Sequence, residues 1–409
     1  MNNSIFLRLI ILSAVLSSLY FRIYKNINTS KDLFWDTMVY YCGPLIFNQQ
    51  GSGYGKLIEC SKDLSDFKFV YLPIYLRLLD FSFVSQEIFQ IIWLILLSAS
   101  IVLIIFILSK IYTEFTFLNC LLISLFSFSA IPFYGYLSGN ISNILYAITA
   151  AGILMSFSGK KNLITFGLIL ITIPSLFKIH MILFIMVPLV IVPISEVRKI
   201  FILLPMPFFM ILTNKYLYPI EFELLKSNIQ ILPYVGDMGV GSLQVINYLN
   251  SNILNLTDSF SSGRHNWEVN QNAMESGKFF LDYVFYIILI LIVFLKTYSL
   301  RLKTLSKDLL SDKKLKVSIA LIATLMIIPR LKQYDMILFS LPAFYLINSS
   351  FFKDSMKNLF NILDSKLIVQ SFNILVLGFY VISGDNYFIY PVIVLIYIFC
   401  IKGIKKENL

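Results

Sequence analysis

The sequence predicts an all-α polytopic membrane protein of about twelve transmembrane helices, with a periplasmic amphipathic helix after the first span. Three observations predict it. Of 409 residues, 58% are hydrophobic and only 14% charged, and the mean hydropathy of +0.79 excludes an ordinary soluble domain. Apolar runs approaching the roughly 20 residues that a helix needs to cross a bilayer recur along almost the whole chain. They are continuous rather than alternating, which excludes a membrane barrel. Finally, lysine and arginine cluster in the connections on one side of the threaded chain.

Taken in order, residues 5–22 form the first run, and no small-residue cleavage site follows Leu19-Tyr20-Phe21-Arg22, so this run reads as a membrane helix rather than a signal peptide. Further runs cover 87–108, 115–133, 141–157, 162–178, 180–195, 199–214, 278–295, 317–328, 335–350, 366–383 and 386–401, the shorter of them being compatible with re-entrant segments. The chain therefore divides into a first span (1–22), a first outer segment (23–86), six spans (87–214), a second outer segment (215–277), and five further spans with a basic tail (278–409).

A net charge of +10 in a soluble chain would suggest nucleic acid; here it reports orientation, and no nucleic-acid partner is expected. With the N-terminus inside, Lys110, Lys160, Lys161, Arg198, Lys199, Lys296, Arg301, Lys303, Lys307, Lys313, Lys314, Lys316, Lys353, Lys357, Lys366, Lys402, Lys405 and Lys406 all fall in inner loops. The short turn holding Arg330 and Lys332 is the exception. Most of the polar, glycine and tryptophan content lies in the two outer segments, where function is to be sought.

In the first of these, Trp35, Met38, Val39, Cys42, Leu45 and Ile46 recur as one apolar helical stripe, with Asp36, Tyr40 and Gly43 along its edge and Pro44 set to kink or end the helix. Taken alone, Asp36 there caps or solvates a surface helix; the outer-side cations give it a second reading, as a base. Cys42 and Cys60 share this segment and either pair or remain free thiols. Lys178 and His180 interrupt a largely apolar run, as functional groups or as a hairpin turn whose lysine snorkels to lipid phosphate. Asn140 lies in the turn from Tyr134 to Asn143, where helix capping by Ser138 or Asn140 accounts for the polar residues without a ligand. Arg264 and His265 stand beside Trp267 in the second outer segment, as a flexible loop or as a cluster suited to an anionic or sugar ligand. No metal-ligand spacing, phosphate-cradling glycine loop or nucleophile elbow is present in the sequence, so no metal or other cofactor is expected. What remains is a carboxylate able to act as a base and cations able to hold a phosphate.

The order of these motifs resembles that of the C-type-fold (GT-C) glycosyltransferases that use polyprenyl-phosphate sugars, and within them glycosyltransferase family 87. Asp36-Thr37-Met38-Val39-Tyr40-Tyr41 resembles the family's Asp-x-x-x-Tyr-Tyr segment, and Tyr71-Leu72-Pro73-Ile74 its Tyr-Pro-Pro stretch, with Ile74 in place of the second proline. The turn Leu137–Asn143 is similar to a Gly-Gln-x-Asn turn, with Asn140 for glutamine, and Ser175-Leu176-Phe177-Lys178 to a Ser/Ala-x-x-Lys element. Pro329–Asp335 sits where the family has a Ser-Pro stretch with basic residues.

The resemblance implies a GT-C-like bundle in the bacterial cytoplasmic membrane, with its active site on the periplasmic side. It implies inverting transfer of one sugar, mannose or arabinofuranose, from a polyprenyl-phosphate donor to a glycan, lipid or protein acceptor. Asp36 would be the general base; Lys178, His180, Arg330 and Lys332 would hold the donor phosphate; Tyr40, Tyr41, Asn140, Arg264, His265 and Tyr334 would contact acceptor or sugar. Two other classes compete. An O-antigen-polymerase or ligase-like enzyme would centre on Arg264, and a lipid-linked-oligosaccharide flippase would need charges deep in several spans and an internal repeat, which the sequence lacks.

Overall fold

A computed structural model describes residues 34–51, 53–54, 57, 60, 69–130, 138–231, 241–254, 256, 280–329, 333–349, 352, 370 and 389–406, and every regular element among them is helical. The expected spans 5–22 and 366–383 lie outside the described residues, apart from Gln370. The principal helices are α1 (Trp35–Gln50), α2 (Ile74–Leu78), α3 (Gln86–Ile111), α4 (Phe117–Ala130), α5 (Ser142–Phe157), α6 (Lys161–Phe177), α7 (Met186–Ile191), α8 (Ile194–Leu203) and α9 (Met206–Leu217). They continue with α10 (Pro219–Ile231), α11 (Ser242–Tyr248), α12 (Phe280–Ser299), α13 (Leu309–Ile327), α14 (Ser340–Asn348) and α15 (Ile389–Lys406).

Among the described residues, three helical stretches are long and apolar enough to cross a membrane: Gln86–Ile111, Ile194–Leu217 and Phe280–Leu302. In α3 the Ser85 hydroxyl accepts from the Ile88 amide, Glu87 occupies the first turn and Lys110 the last, which suits the helix dipole at both ends. At about 1.5 Å per residue this helix is about 39 Å long, more than the roughly 30 Å of bilayer hydrocarbon. Its Phe89, Trp93, Leu97, Ile104 and Leu108 face the protein, while Ile88, Ile91, Ile95, Val102 and Phe106 are exposed. A continuous exposed apolar face of this kind suits lipid rather than water.

Two expected spans are broken. Residues 180–195 form a 3-10 helix, Ile179–Ile185, followed by α7, which stops before Pro193. Residues 335–350 form a 3-10 turn, Gln333–Ile337, and then the nine-residue α14. Neither piece of α-helix reaches the length of a full crossing. The residues assigned to an inner loop before span 317–328 also differ, because α13 begins at Leu309 and carries Lys313, Lys314 and Lys316 in its first turns. Lys314 and Lys316 are buried, and burial of an ammonium requires a partner. Lys314 pairs with Glu114 at 2.7 Å and Lys316 with Asp312 at 2.9 Å.

From Val317 to Ile328 every residue of α13 and its cap is buried, which makes α13 the axis of the core. Helices α7, α12, α14 and α15 pack around it. Helices α5 and α6 form the tightest pair. At their crossing a Cβ added to Gly167 would sit 2.6 Å from the Gly152 carbonyl oxygen, and one added to Gly152 would sit 2.6 Å from that of Gly167. Glycine at both positions is what lets the two backbones touch.

Helix α1 forms where expected, but Pro44 neither ends nor confines it, and it runs on to Gln50. The stripe Met38, Val39, Cys42 and Ile46 is buried as the spacing predicts; Thr37, Tyr40, Gly43 and Pro44 on its other sides are buried as well. The helix is enclosed by its neighbours instead of presenting one face to an interface. Cys42 is bonded to Cys60, their Cα atoms 5.6 Å apart. The segment is pinned to the bundle by the Ile74 amide donating to Asn214 Oδ1 at 2.9 Å, and by Tyr75, whose hydroxyl donates to the Leu176 carbonyl and whose ring stacks on Phe177.

Candidate functional site

These contacts bring three sequence-distant pieces to one end of the bundle: the first turn of α1, the turn before α5 and the C-terminal end of α6. Gly139 makes the junction. Its φ of +73° is the left-handed region open to glycine, and a Cβ there would overlap the Thr37 hydroxyl. The Gly139 carbonyl accepts from the Trp93 indole at 2.8 Å. Two residues on, the Ile141 amide donates to the Tyr40 hydroxyl at 3.1 Å, and that hydroxyl also bonds Tyr71 at 3.0 Å.

With the turn held in this way, Asn140 becomes a bridge. Its Nδ2 donates to Asp36 Oδ2 at 2.7 Å, while its Oδ1 accepts from Lys178 Nζ at 3.0 Å and from the Ser142 amide at 2.9 Å. A carboxylate only accepts and an ammonium only donates, so a side chain that bridges them must do both, as a carboxamide does. Asn140 is not the N-cap of α5, a position held by Ile141 without a side-chain cap; its bond from the Ser142 amide is a local one that spans two residues, and is one of three. Lys178 also donates to Ser142 Oγ at 2.6 Å. It occupies this position because α6 ends there, Lys178 itself being extended at φ −130°.

Among the described residues, Asn140 supplies the one hydrogen bond to the Asp36 carboxylate, and Asp36 is only partly buried. One carboxylate oxygen therefore stays open to a proton. The neighbouring phenols do not compete for it. Burial, then the Asp36 charge, pushes the Tyr71 hydroxyl above its ordinary value, and burial, Tyr71 and Asp36 do the same to Tyr40. Both remain protonated donors at neutral pH.

No family model, curated protein or solved structure matches the chain.

The structure unites Asp36, Asn140 and Lys178 and gives the other expected residues different places. Tyr40 is fully buried and holds the turn. Tyr41 turns away, its hydroxyl donating to the Val84 carbonyl at 3.1 Å and its ring lying against Phe89. His180 lies in the 3-10 helix after Lys178, partly buried, and takes no part in the bonded chain from Asp36 to Lys178. Arg264, His265, Arg330 and Lys332 lie outside the described residues, as does the side chain of Tyr334.

Sequence reasoning gave no role to Ser142, whose hydroxyl accepts the second bond from Lys178, or to Tyr146 on the same helix, which reaches the carboxylate of Asp335 in the 3-10 turn Gln333–Ile337. Tyr146 donates to Asp335 Oδ1 at 2.5 Å, and both residues are buried. The local signal for these is an Asn-Ile-Ser-Asn opening followed by a tyrosine one turn later, which fits a helix start equally well.

Proposed function

We propose that the chain is an integral membrane glycosyltransferase that moves one sugar, of the mannose or arabinofuranose type, from a polyprenyl-phosphate donor to a hydroxyl of a glycan, lipid or protein acceptor, with inversion. The observation that carries this reading is the Asp36–Asn140–Lys178 chain, a carboxylate with an open oxygen and an ammonium held on opposite ends of one carboxamide. In the proposed reaction the acceptor oxygen attacks the anomeric carbon as its proton passes to Asp36. The carbon–oxygen bond to phosphate breaks with its electron pair, and the Lys178 ammonium balances the charge that collects on the departing phosphate. Such a donor brings its leaving group already attached. The residues needed are a base and cations.

About twelve spans, an inner N-terminus and C-terminus, a location in the bacterial cytoplasmic membrane and a periplasmic site belong to the same proposal. The pairing of side chains supports the sidedness. Lys314 with Glu114 joins two segments assigned inside, while Lys199 with Thr165, and Arg301 with the Leu189 and Val192 carbonyls, join inner-loop residues to the inner halves of the expected spans 162–178 and 180–195. Asp36 and Asn140 lie in segments assigned outside and Lys178 at the outer end of the expected span 162–178, on the side where the Cys42–Cys60 bond suits an oxidising compartment.

The test is mass spectrometry of surface glycans and glycoproteins from cells with and without the gene, and from cells carrying Asp36→Asn. General-base catalysis contributes about 10²–10⁴-fold, so the Asp36→Asn cells should resemble the deletion while the protein is made at the normal level. Wild-type glycans from those cells would remove Asp36 from the mechanism and favour the polymerase-like class.

A further inference from the structure

Asn143 is fully buried, and neither its Nδ2 nor its Oδ1 has a hydrogen-bond partner. It is the one buried carboxamide in that condition among the described residues. Among the described residues Ser124 Oγ also lacks a hydrogen bond, and so does Glu196 Oε2, which is ion-paired with Lys199; other buried polar groups are satisfied, as on α5 itself, where Thr149 and Ser156 donate to carbonyls one turn back, and at another site, where Asn247 and Asn250 both donate to the buried Asp282. An unpaired buried donor and acceptor on one side chain call for an explanation.

Position supplies one. Asn143 follows Ser142, which Lys178 binds, and stands three residues after Asn140, which joins Asp36 to Lys178. Asn143, Tyr146, Ala147 and Ala150 share one buried face of α5, and that face carries the Tyr146–Asp335 bond. The chemistry narrows the occupant. Phosphate oxygens would satisfy only Nδ2 and an ammonium only Oδ1, whereas a hydroxyl accepts from the first and donates to the second.

We infer that Asn143 is a specificity-determining residue that reads a ring hydroxyl of the donor sugar while the phosphate of that donor lies against Lys178. The inference rests on the glycosyltransferase reading and extends it from the leaving group to the sugar. A site built to bond a buried hydroxyl rejects the analogue lacking it by on the order of 10⁴-fold or more, because its own polar atoms are then left bare.

The experiment uses the full chain in detergent and follows its melting temperature with farnesyl phosphate, farnesyl-phosphoryl mannose, farnesyl-phosphoryl arabinofuranose and the monodeoxy analogues of both sugars. The wild-type protein should be stabilised by farnesyl phosphate and further stabilised by one of the sugar donors, and a single monodeoxy analogue should lose that further shift. Asn143→Ala, which removes both polar atoms without adding volume, should melt no lower than wild type without ligand, keep the farnesyl phosphate shift and lose the additional one. A ligand-free Asn143→Ala protein that melts several degrees lower would overturn the inference, because the amide would then already be satisfied, for instance by a buried water. Equal sugar shifts in both proteins, with every monodeoxy analogue behaving as its parent, would overturn it and leave the glycosyltransferase reading standing. If no probe shifts the wild-type protein, that reading falls and the inference with it.

Discussion

Replacing Asn140 with leucine tests whether one carboxamide organises the site. The substitution keeps the branching and heavy-atom count of the side chain and removes three hydrogen bonds, of 2.7, 3.0 and 2.9 Å, to Asp36, Lys178 and the Ser142 amide. Two involve charged partners and contribute about 1.5–3 kcal/mol each, and the third about 1 kcal/mol, for a gross loss of about 4–7 kcal/mol. Part is recovered: Lys178 keeps Ser142, and water reaches the partly exposed Asp36 and Lys178. A net loss of about 2–4 kcal/mol remains. Denaturant unfolding of the detergent-solubilised protein measures it, alongside donor turnover, which on the proposed function should fall about 10²-fold or more as the proposed base and cation lose their common anchor. Asn140→Gln retains the carboxamide and should recover part of both. An Asn140→Leu protein with wild-type stability and turnover, or an Asn140→Gln protein no better than it, would refute the bridging role.

Three further outcomes are expected. Gly139→Ala should destabilise by a few kcal/mol, from left-handed strain plus overlap with Thr37, and adding Thr37→Ala should restore part of the loss; no rescue in unfolding experiments would contradict the contact. Gly167→Ala should cost about 1–3 kcal/mol, because the Gly152 carbonyl at 2.6 Å cannot yield without parting α5 from α6, and donor turnover should fall with it as Lys178 moves from Asn140. Reducing the Cys42–Cys60 bond, which spans a sequence separation of 18, should lower stability by about 3 kcal/mol, and superimposable unfolding curves with and without dithiothreitol would count against that contribution.

The amino-acid order by itself determined that the chain is helical and apolar, where most long helices run, that a helix follows residue 34, and that Asp36 and Lys178 are polar groups worth attention. These properties are local. A continuous apolar run or a stripe at helical spacing carries its meaning within a few turns. Tertiary structure alone decided the rest. Pro44 is absorbed into α1, residues 180–195 and 335–350 break into short pieces, and Lys314 is buried against Glu114, 200 residues away. Asn140 could be read from its neighbours only as a helix cap. Its bonds to Asp36, 104 residues earlier, and to Lys178, 38 residues later, exist because Gly139 lets α1 approach the turn and because Gly152 and Gly167 let α6 lie against α5. A polar side chain takes whichever partner the packing of distant segments brings within about 3 Å, and that choice has no period in the sequence.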